Sequence, residues 1–139
     1  MKEKIRIIRC HDEEFIKSLH KEIFPVDELY TTDNKVVHWI AIDSNNECAG
    51  FCTLSIVRNS YGFLARAGIK RKFRGNNLQC RFIRVREKFL KSLNLTKMIT
   101  YTKKDNIPSC INLQKCNYFM YAPVYSYADN DCIYWIKEF

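Results

Sequence analysis

The chain has 139 residues, of which 47% are hydrophobic and 27% charged, with only four glycines and three prolines. That length and mixture suit one folded domain over residues 1–139 and exclude a disordered or collagen-like chain. Twenty-three Lys and Arg against 15 Asp and Glu leave a net charge of +8, which a nucleic-acid partner, a polyanionic small molecule or solubility alone would explain.

The charge is local. Nine Lys or Arg residues stand between Lys70 and Lys91 against a single acid, Glu87. No apolar run approaches the roughly 18 residues that span a bilayer. The start, MKEKIRII, reads as a strand and lacks the apolar stretch of a leader. No membrane association and a cytoplasmic location are therefore expected. Seven cysteines form no C-x-x-C pair, and no His follows at zinc-finger spacing. Small core thiols in a reducing compartment, with no metal site, are the expectation. At strand spacing, Cys48 and Cys52 share one face.

Residues 4–9 alternate and predict a strand. Asp12 predicts a helix N-cap, with Phe15, Ile16, Leu19 and Ile23 on one face, ending at Phe24-Pro25. Residues 25–35 read as a loop or short helix. Strands follow at 36–42, 47–57 and 62–69, with turns at 43–46 and 59–62. Leu78, Phe82, Val85, Phe89 and Leu93 make a helix stripe, with Arg81, Arg84, Arg86, Lys88 and Lys91 off it. Asn94 is placed as a left-handed terminator. A strand at 95–102 is followed by a short helix at 106–115, with Asn106 as N-cap and Asn117 as terminator. Residues 118–127 and 131–139 read as aromatic-rich strands. The order predicts an α/β fold with a mixed central sheet and helices on both faces.

The junction Gly68–Gln79, GIKRKFRGNNLQ, is the most informative stretch. A strand ends at Ile69, cations follow at Lys70, Arg71, Lys72 and Arg74, and a helix starts after Gly75-Asn76-Asn77. Unpaired N–H groups at a helix start suit a phosphate. Gly75 permits close approach, and Asn tolerates a positive φ. Neither G-x-G-x-x-G nor G-x-x-x-x-G-K-[ST] is present. A solvated basic loop would have the same composition.

The stretch AGIKRKFRGNNLQ resembles the acyl-CoA signature of the GNAT-type N-acetyltransferase superfamily, a V-x-P-like strand end running into [QR]-x-x-G-x-[GA]. Ile69 matches the valine and Arg71 replaces the proline. Arg74 matches the leading [QR], Asn77 replaces the glycine, and Gln79 stands where Gly or Ala is usual. A second stretch, NIPSCINLQKCNY, resembles that superfamily's N-x-x-A-x-x-L-Y-x-K-x-G-F block. Asn106, Ser109, Lys115 and Tyr118 align with Asn, Ala, Lys and Phe, and Asn117 replaces Gly. FLARAGIKRKFRGNNLQCRFIRVRE is most similar to small phage and bacterial members.

This resemblance implies a GNAT-like fold and an acetyl-CoA-dependent N-acetyltransferase acting on a primary amine by direct attack. It implies backbone bonds from Ala67, Gly68 and Ile69 to the pantetheine arm of acetyl-CoA. Pyrophosphate contacts would come from Arg74, Gly75, Asn76, Asn77, Leu78 and Gln79, and a further pantetheine bond from Asn106. Residues 70–72 would meet the 3′-phosphate. The usual tyrosine acid falls at Leu113, so Ser109, Cys110, Cys116, Tyr118 and Tyr121 are the substitutes to consider. Asp27 and Glu28, in FPVDELY, are candidates for the base. His38 reads as a core histidine, and Arg66 needs an acidic partner such as Asp27 or Glu28. Alternatives are an acyltransferase acting on a nucleic acid or protein, and a non-catalytic CoA-binding module. The acceptor stays unidentified, and either a monomer or a homodimer is expected.

Overall fold

Asp12 starts the first helix: its Oδ1 accepts from the Phe15 N–H at 3.1 Å, and Glu13 and Glu14 suit the positive end of the helix dipole. The structure is a computed structural model that describes residues 4–28 and 34–139. The expected loop or short helix at 25–35 therefore falls partly outside the described residues. In chain order the elements are β1 (Arg6–Cys10), α1 (Glu13–Ile23), β2 (Lys35–Ile42), β3 (Cys48–Val57), β4 (Tyr61–Ile69), a 3-10 turn (Arg71–Phe73), α2 (Leu78–Ser92), β5 (Lys97–Lys103), α3 (Ile107–Lys115), β6 (Phe119–Met120) and β7 (Cys132–Glu138).

Among the described residues the strands form one sheet in the order β1-β2-β3-β4-β5-β7-β6. Short turns join β2, β3 and β4 as antiparallel neighbours, whereas β4 and β5 are parallel because α2 crosses between them. The mixed α/β architecture expected from the sequence is the one found. The β3–β4 turn starts one residue earlier than expected: the three residues 58–60 join the paired Val57 and Tyr61, with Arg58 and Asn59 both at positive φ. Asn94 and Asn117 adopt the left-handed conformation expected of them.

Helices cover both faces. Phe51 packs with Ile16, Leu19 and Ile40 under α1, while its chain neighbour Cys52 packs with Leu54, Trp39, Phe82 and Leu90 under α2. Two sequence expectations are corrected here. Cys48 and Cys52 do not share a face, because one extra β3 residue between the pairs Ile42–Cys48 and Ala41–Gly50 shifts the alternation. The α2 stripe is also rotated: Leu78, Phe82, Ile83, Arg86, Glu87 and Leu90 are buried, and Leu93 is exposed.

A third correction concerns residues 118–127. Only Phe119–Met120 is strand, and residues 121–131 run irregularly before β7. Tyrosine-to-tyrosine and tyrosine-to-backbone bonds hold part of that segment. Tyr134 Oη donates to the Ala128 carbonyl at 2.9 Å, and Tyr127 Oη donates to the Thr100 carbonyl at 3.1 Å. Aromatic residues there serve packing between side chains rather than a ladder.

Candidate active site

The parallel strands β4 and β5 pair only at Gly62–Met98 and Phe63–Ile99. Thr100 Oγ1 continues the contact by donating to the Leu64 carbonyl at 2.9 Å, and beyond it the strands pair no further. A bulge accompanies the parting. Leu54 pairs with Leu64 and Cys52 with Ala67, so β4 carries one extra residue.

Buried Arg86 closes the polar account of that bulge. Its Nη1 donates to the Thr53 carbonyl at 3.0 Å and the Ala65 carbonyl at 3.1 Å, and its Nε to the Phe82 carbonyl at 3.0 Å. The Thr53 and Ala65 carbonyls at the bulge thereby gain a donor, while the Phe82 carbonyl also serves the helix. Burial pulls the Arg86 pKa down from its ordinary value, because desolvation disfavours the charged form. The sequence placed Arg86 among the outward cations. Its spacing from Phe82 and Leu90, four residues each way, was the signal available.

Beyond the bulge, β4 offers backbone to the gap. The Lys70 N–H bonds the Ala49 carbonyl at 2.8 Å. By antiparallel alternation, Gly68 therefore also directs its polar groups to β3, and Ala67 and Ile69 direct theirs toward the gap. Gly68 has a different task. A Cβ there would come within 2.7 Å of Phe24 Cε2.

The loop after β4 tightens into the 3-10 turn, where the Arg74 N–H bonds the Arg71 carbonyl at 3.2 Å. Gly75 follows at φ +88°, and a Cβ added there would meet nothing within 4 Å. Asn76 Nδ2 donates to the Phe73 carbonyl at 2.9 Å. Asn77, at φ +58°, precedes α2 and makes no side-chain cap bond. The first bond into the helix runs from the Arg81 N–H to the Asn77 carbonyl at 3.3 Å. Among the described residues, the N–H groups of Gly75 through Cys80 have no protein acceptor, so this helix end is a ready anion site. Cys80 extends the set the sequence suggested, and Arg74 leaves it as a backbone donor.

The loop cations are partly neutralised. Lys70 pairs with Glu22 at 3.1 Å, and Lys72 Nζ donates to Glu47 Oε1 at 2.8 Å. Arg71 and Arg74 have no ion pair among the described residues. Across the gap, Asn106 caps α3 by accepting from the Ser109 N–H at 3.3 Å. Its Nδ2 has no partner among the described residues. Leu113 is buried in the core.

Ahead of β4 on the α1 face stands a charged cluster. Arg66 Nη1 donates to Asp27 Oδ2 at 2.8 Å, and the guanidinium lies 4.5 Å from the Phe24 ring centroid. The acidic partner expected for Arg66 is thus Asp27. Glu28, the next residue, is exposed. Behind them His20 is buried, and its Nε2 has no hydrogen-bond partner. Burial, then the nearby Arg66 charge, pulls its pKa below the ordinary value. His38 is a core histidine as expected, with Nδ1 2.7 Å from Thr53 Oγ1 and Nε2 3.2 Å from Glu13 Oε1. On the β5 side, Phe63, Tyr101, Tyr127 and Tyr134 cluster, with Tyr127 edge-on to the other three and Phe63 tilted against Tyr101.

Tyr118 stands apart from both groups. It is 2% exposed, and its hydroxyl donates to Glu87 Oε2 at 2.7 Å, with Lys137 3.2 Å from the same carboxylate. Burial, then Glu87, pushes its pKa far above the ordinary tyrosine range. Glu87 lies in the third turn of α2, roughly 13 Å along the helix from Leu78 at 1.5 Å per residue. Tyr118 therefore sits in the core, with its hydroxyl held by Glu87. Cys110 Sγ rests 3.5 Å from Thr102 Oγ1, and Cys116 is buried, its thiol pushed up to about 11 by burial.

Known proteins share the family signature and the fold of this chain. The acetyltransferase (GNAT) family model covers residues 5–118. No curated protein sequence matches the chain. An IAA acetyltransferase from Bacillus cereus superposes with a TM-score of 0.80 at 16% identity, over 98% of this chain and 100% of that one. A Bacillus subtilis acetyltransferase in complex with CoA gives 0.77 at 15% identity, over 98% and 99%. A candidate streptothricin acetyltransferase from Bacillus anthracis, in complex with acetyl coenzyme A, gives 0.65 at 24% identity, over 81% and 70%. At such identities these structures share the fold, and the family match spans most of the sequence. The chain belongs to the acetyltransferase (GNAT) family.

Proposed function

We propose that the protein transfers the acetyl group of acetyl-CoA to a primary amine by direct attack. One observation carries this reading: β4 and β5 part beside a helix end whose N–H groups from Gly75 to Cys80 have no protein acceptor among the described residues. Pantetheine would lie in the gap, bonded by the backbone of Ala67 and Ile69 and by Asn106. The pyrophosphate would take the N–H groups of Gly75, Asn76, Asn77, Leu78 and Gln79, with Arg71 and Arg74 as side-chain cations. The relatives solved with acetyl coenzyme A and CoA support the choice of donor.

The chemistry needs a neutral amine. A carboxylate takes one proton from the ammonium, the nitrogen forms a bond to the thioester carbon, and the C–S bond breaks. The nitrogen gives up its second proton as the amide forms, and that proton balances the one the departing thiolate takes. Asp27 is already bonded to Arg66, so the exposed Glu28 is the freer base, with Asp27 positioning Arg66. Ser109, half-buried in the first turn of α3, is the hydroxyl closest in sequence to the pantetheine-binding Asn106 and would hydrogen-bond the thiolate.

Calorimetry with acetyl-CoA tests the reading, followed by thiol release with a panel of primary amines. Micromolar binding by the wild type, lost in Gly75→Trp and weakened in Asn106→Ala, is expected. A folded wild type that does not bind acetyl-CoA refutes it.

A further inference from the structure

The fold separates the charges that the sequence carries. Residues 11–28, which include α1, hold six acids against two lysines. Residues 70–91, which include α2, hold nine cations against one acid. The two helices pack on opposite faces of the sheet, so the molecule is polarised across it.

Arg84, Lys88 and Lys91 are exposed along α2. Spacings of four and three place them on one side of the helix. Glu87, the only acid of α2, is turned inward and held by Tyr118 and Lys137. Among the described residues none of the three makes an ion pair, although Lys91 lies 4.7 Å from the Phe139 ring centroid. The other face differs, since Lys17, Arg66 and Lys70 each have a carboxylate. Exposed Arg9 of β1, 4.9 Å from the Phe89 ring centroid, flanks the row.

The acyl donor does not account for this row. Its phosphates would gather at the start of α2, whereas a rise of 1.5 Å per residue puts Lys88 and Lys91 roughly 15 and 20 Å beyond Leu78. Unpaired like charges three and four residues apart also cost the helix a few tenths of a kcal/mol per pair. A second polyanion on this face would remove that cost.

We propose that the outer face of α2 docks the phosphate backbone of a nucleic-acid duplex, through Arg84, Lys88 and Lys91 with Arg9 at the flank. The row is straight, free of acids and set on a rigid helix, which suits phosphates displayed outward on a duplex. Arg9 covers the Phe89 ring, so the row itself offers no open aromatic platform for unstacked single-strand bases. The face lies opposite the acidic α1 side, so docking leaves the acceptor side open.

The test is fluorescence anisotropy with a labelled duplex of about 20 base pairs, titrated from about 50 to 200 mM salt. The wild type is compared with Arg84→Glu/Lys88→Glu/Lys91→Glu. Wild-type binding that weakens steeply with salt is expected. The variant should bind at least about tenfold more weakly, with a log–log salt slope shallower by about two to three. Acetyl-CoA binding and the circular dichroism melt should be unchanged, because these side chains lie outside the cofactor site and the core. Four results would overturn the proposal: no duplex binding at low salt, equal binding by the variant, displacement of the duplex by saturating acetyl-CoA, or binding to phosphatidylserine vesicles in preference to the duplex.

Discussion

Arg66 Nη1 and Asp27 Oδ2, on residues 39 positions apart in the chain, meet at 2.8 Å where β4 has left β5. The Phe24 ring lies under the guanidinium, so a charged side chain, its counter-ion and an aromatic ring are fixed together on the α1 face of the sheet. The side chains are 39% and 48% exposed, so the pair contributes only about 0.2–1 kcal/mol to stability. Its value is positional. Arg66→Ala and Asp27→Asn should each shift the melting temperature little and raise KM for the amine more than they lower kcat. A double-mutant cycle on kcat/KM should show coupling, because either change frees the other group. Additive losses would refute a shared role.

Gly75→Ala separates backbone strain from ligand exclusion. A φ of +88° with open space around the Cβ position means a cost of about 1–2 kcal/mol from conformation alone. Gly75→Trp should therefore remain folded, yet its ring would stand over the free N–H groups. Acetyl-CoA affinity should fall at least about tenfold for Trp and much less for Ala. Asn77→Gly should be close to neutral in both stability and affinity, because Asn77 already sits at φ +58° without a cap bond.

Arg86 should tolerate no replacement well. Arg86→Ala leaves the Thr53, Ala65 and Phe82 carbonyls without this donor, at a cost of about 3–5 kcal/mol. Arg86→Lys keeps the charge but not the planar fork, and should recover less than half of the loss. Denaturant melts measure both. If Arg86→Lys matches the wild type, the fork geometry is irrelevant to the bulge.

Tyr118→Phe distinguishes a structural tyrosine from a catalytic one. Its removal should cost about 1–3 kcal/mol by depriving Glu87 of a donor, with kcat changed less than about threefold. The pH dependence has a defined sign. Burial, then Glu87, raises the Tyr118 pKa in the fold, which favours the neutral phenol. The associated stability is complete below the ordinary tyrosine value of 10.0 and declines as pH rises above it. Wild-type stability should therefore fall above pH 10 by up to about 1.4 kcal/mol per pH unit more steeply than that of Tyr118→Phe. Parallel curves would show that the phenol ionises freely. A large loss of kcat at full stability would return Tyr118 to the reaction.

Much was legible in the sequence because it depends on near neighbours. Asp12 and Asn106 cap helices within three residues of themselves, and Asn77, Asn94 and Asn117 take the left-handed conformation that Asn accepts. The strand-loop-helix junction at 69–78 and the mixed sheet follow from local periodicity and from the length of the crossover. What only the tertiary structure decided turns on register and facing. One extra residue in β3 moved Cys48 to the opposite face from Cys52, and one in β4 created the carbonyls that draw Arg86 into the core. Tyr118 met Glu87, and Arg66 met Asp27, across 31 and 39 residues of chain. Periodicity reports which residues share a face of one element. It carries no information on which element that face will meet, and that meeting buries one arginine against backbone carbonyls and leaves another half-exposed beside a carboxylate.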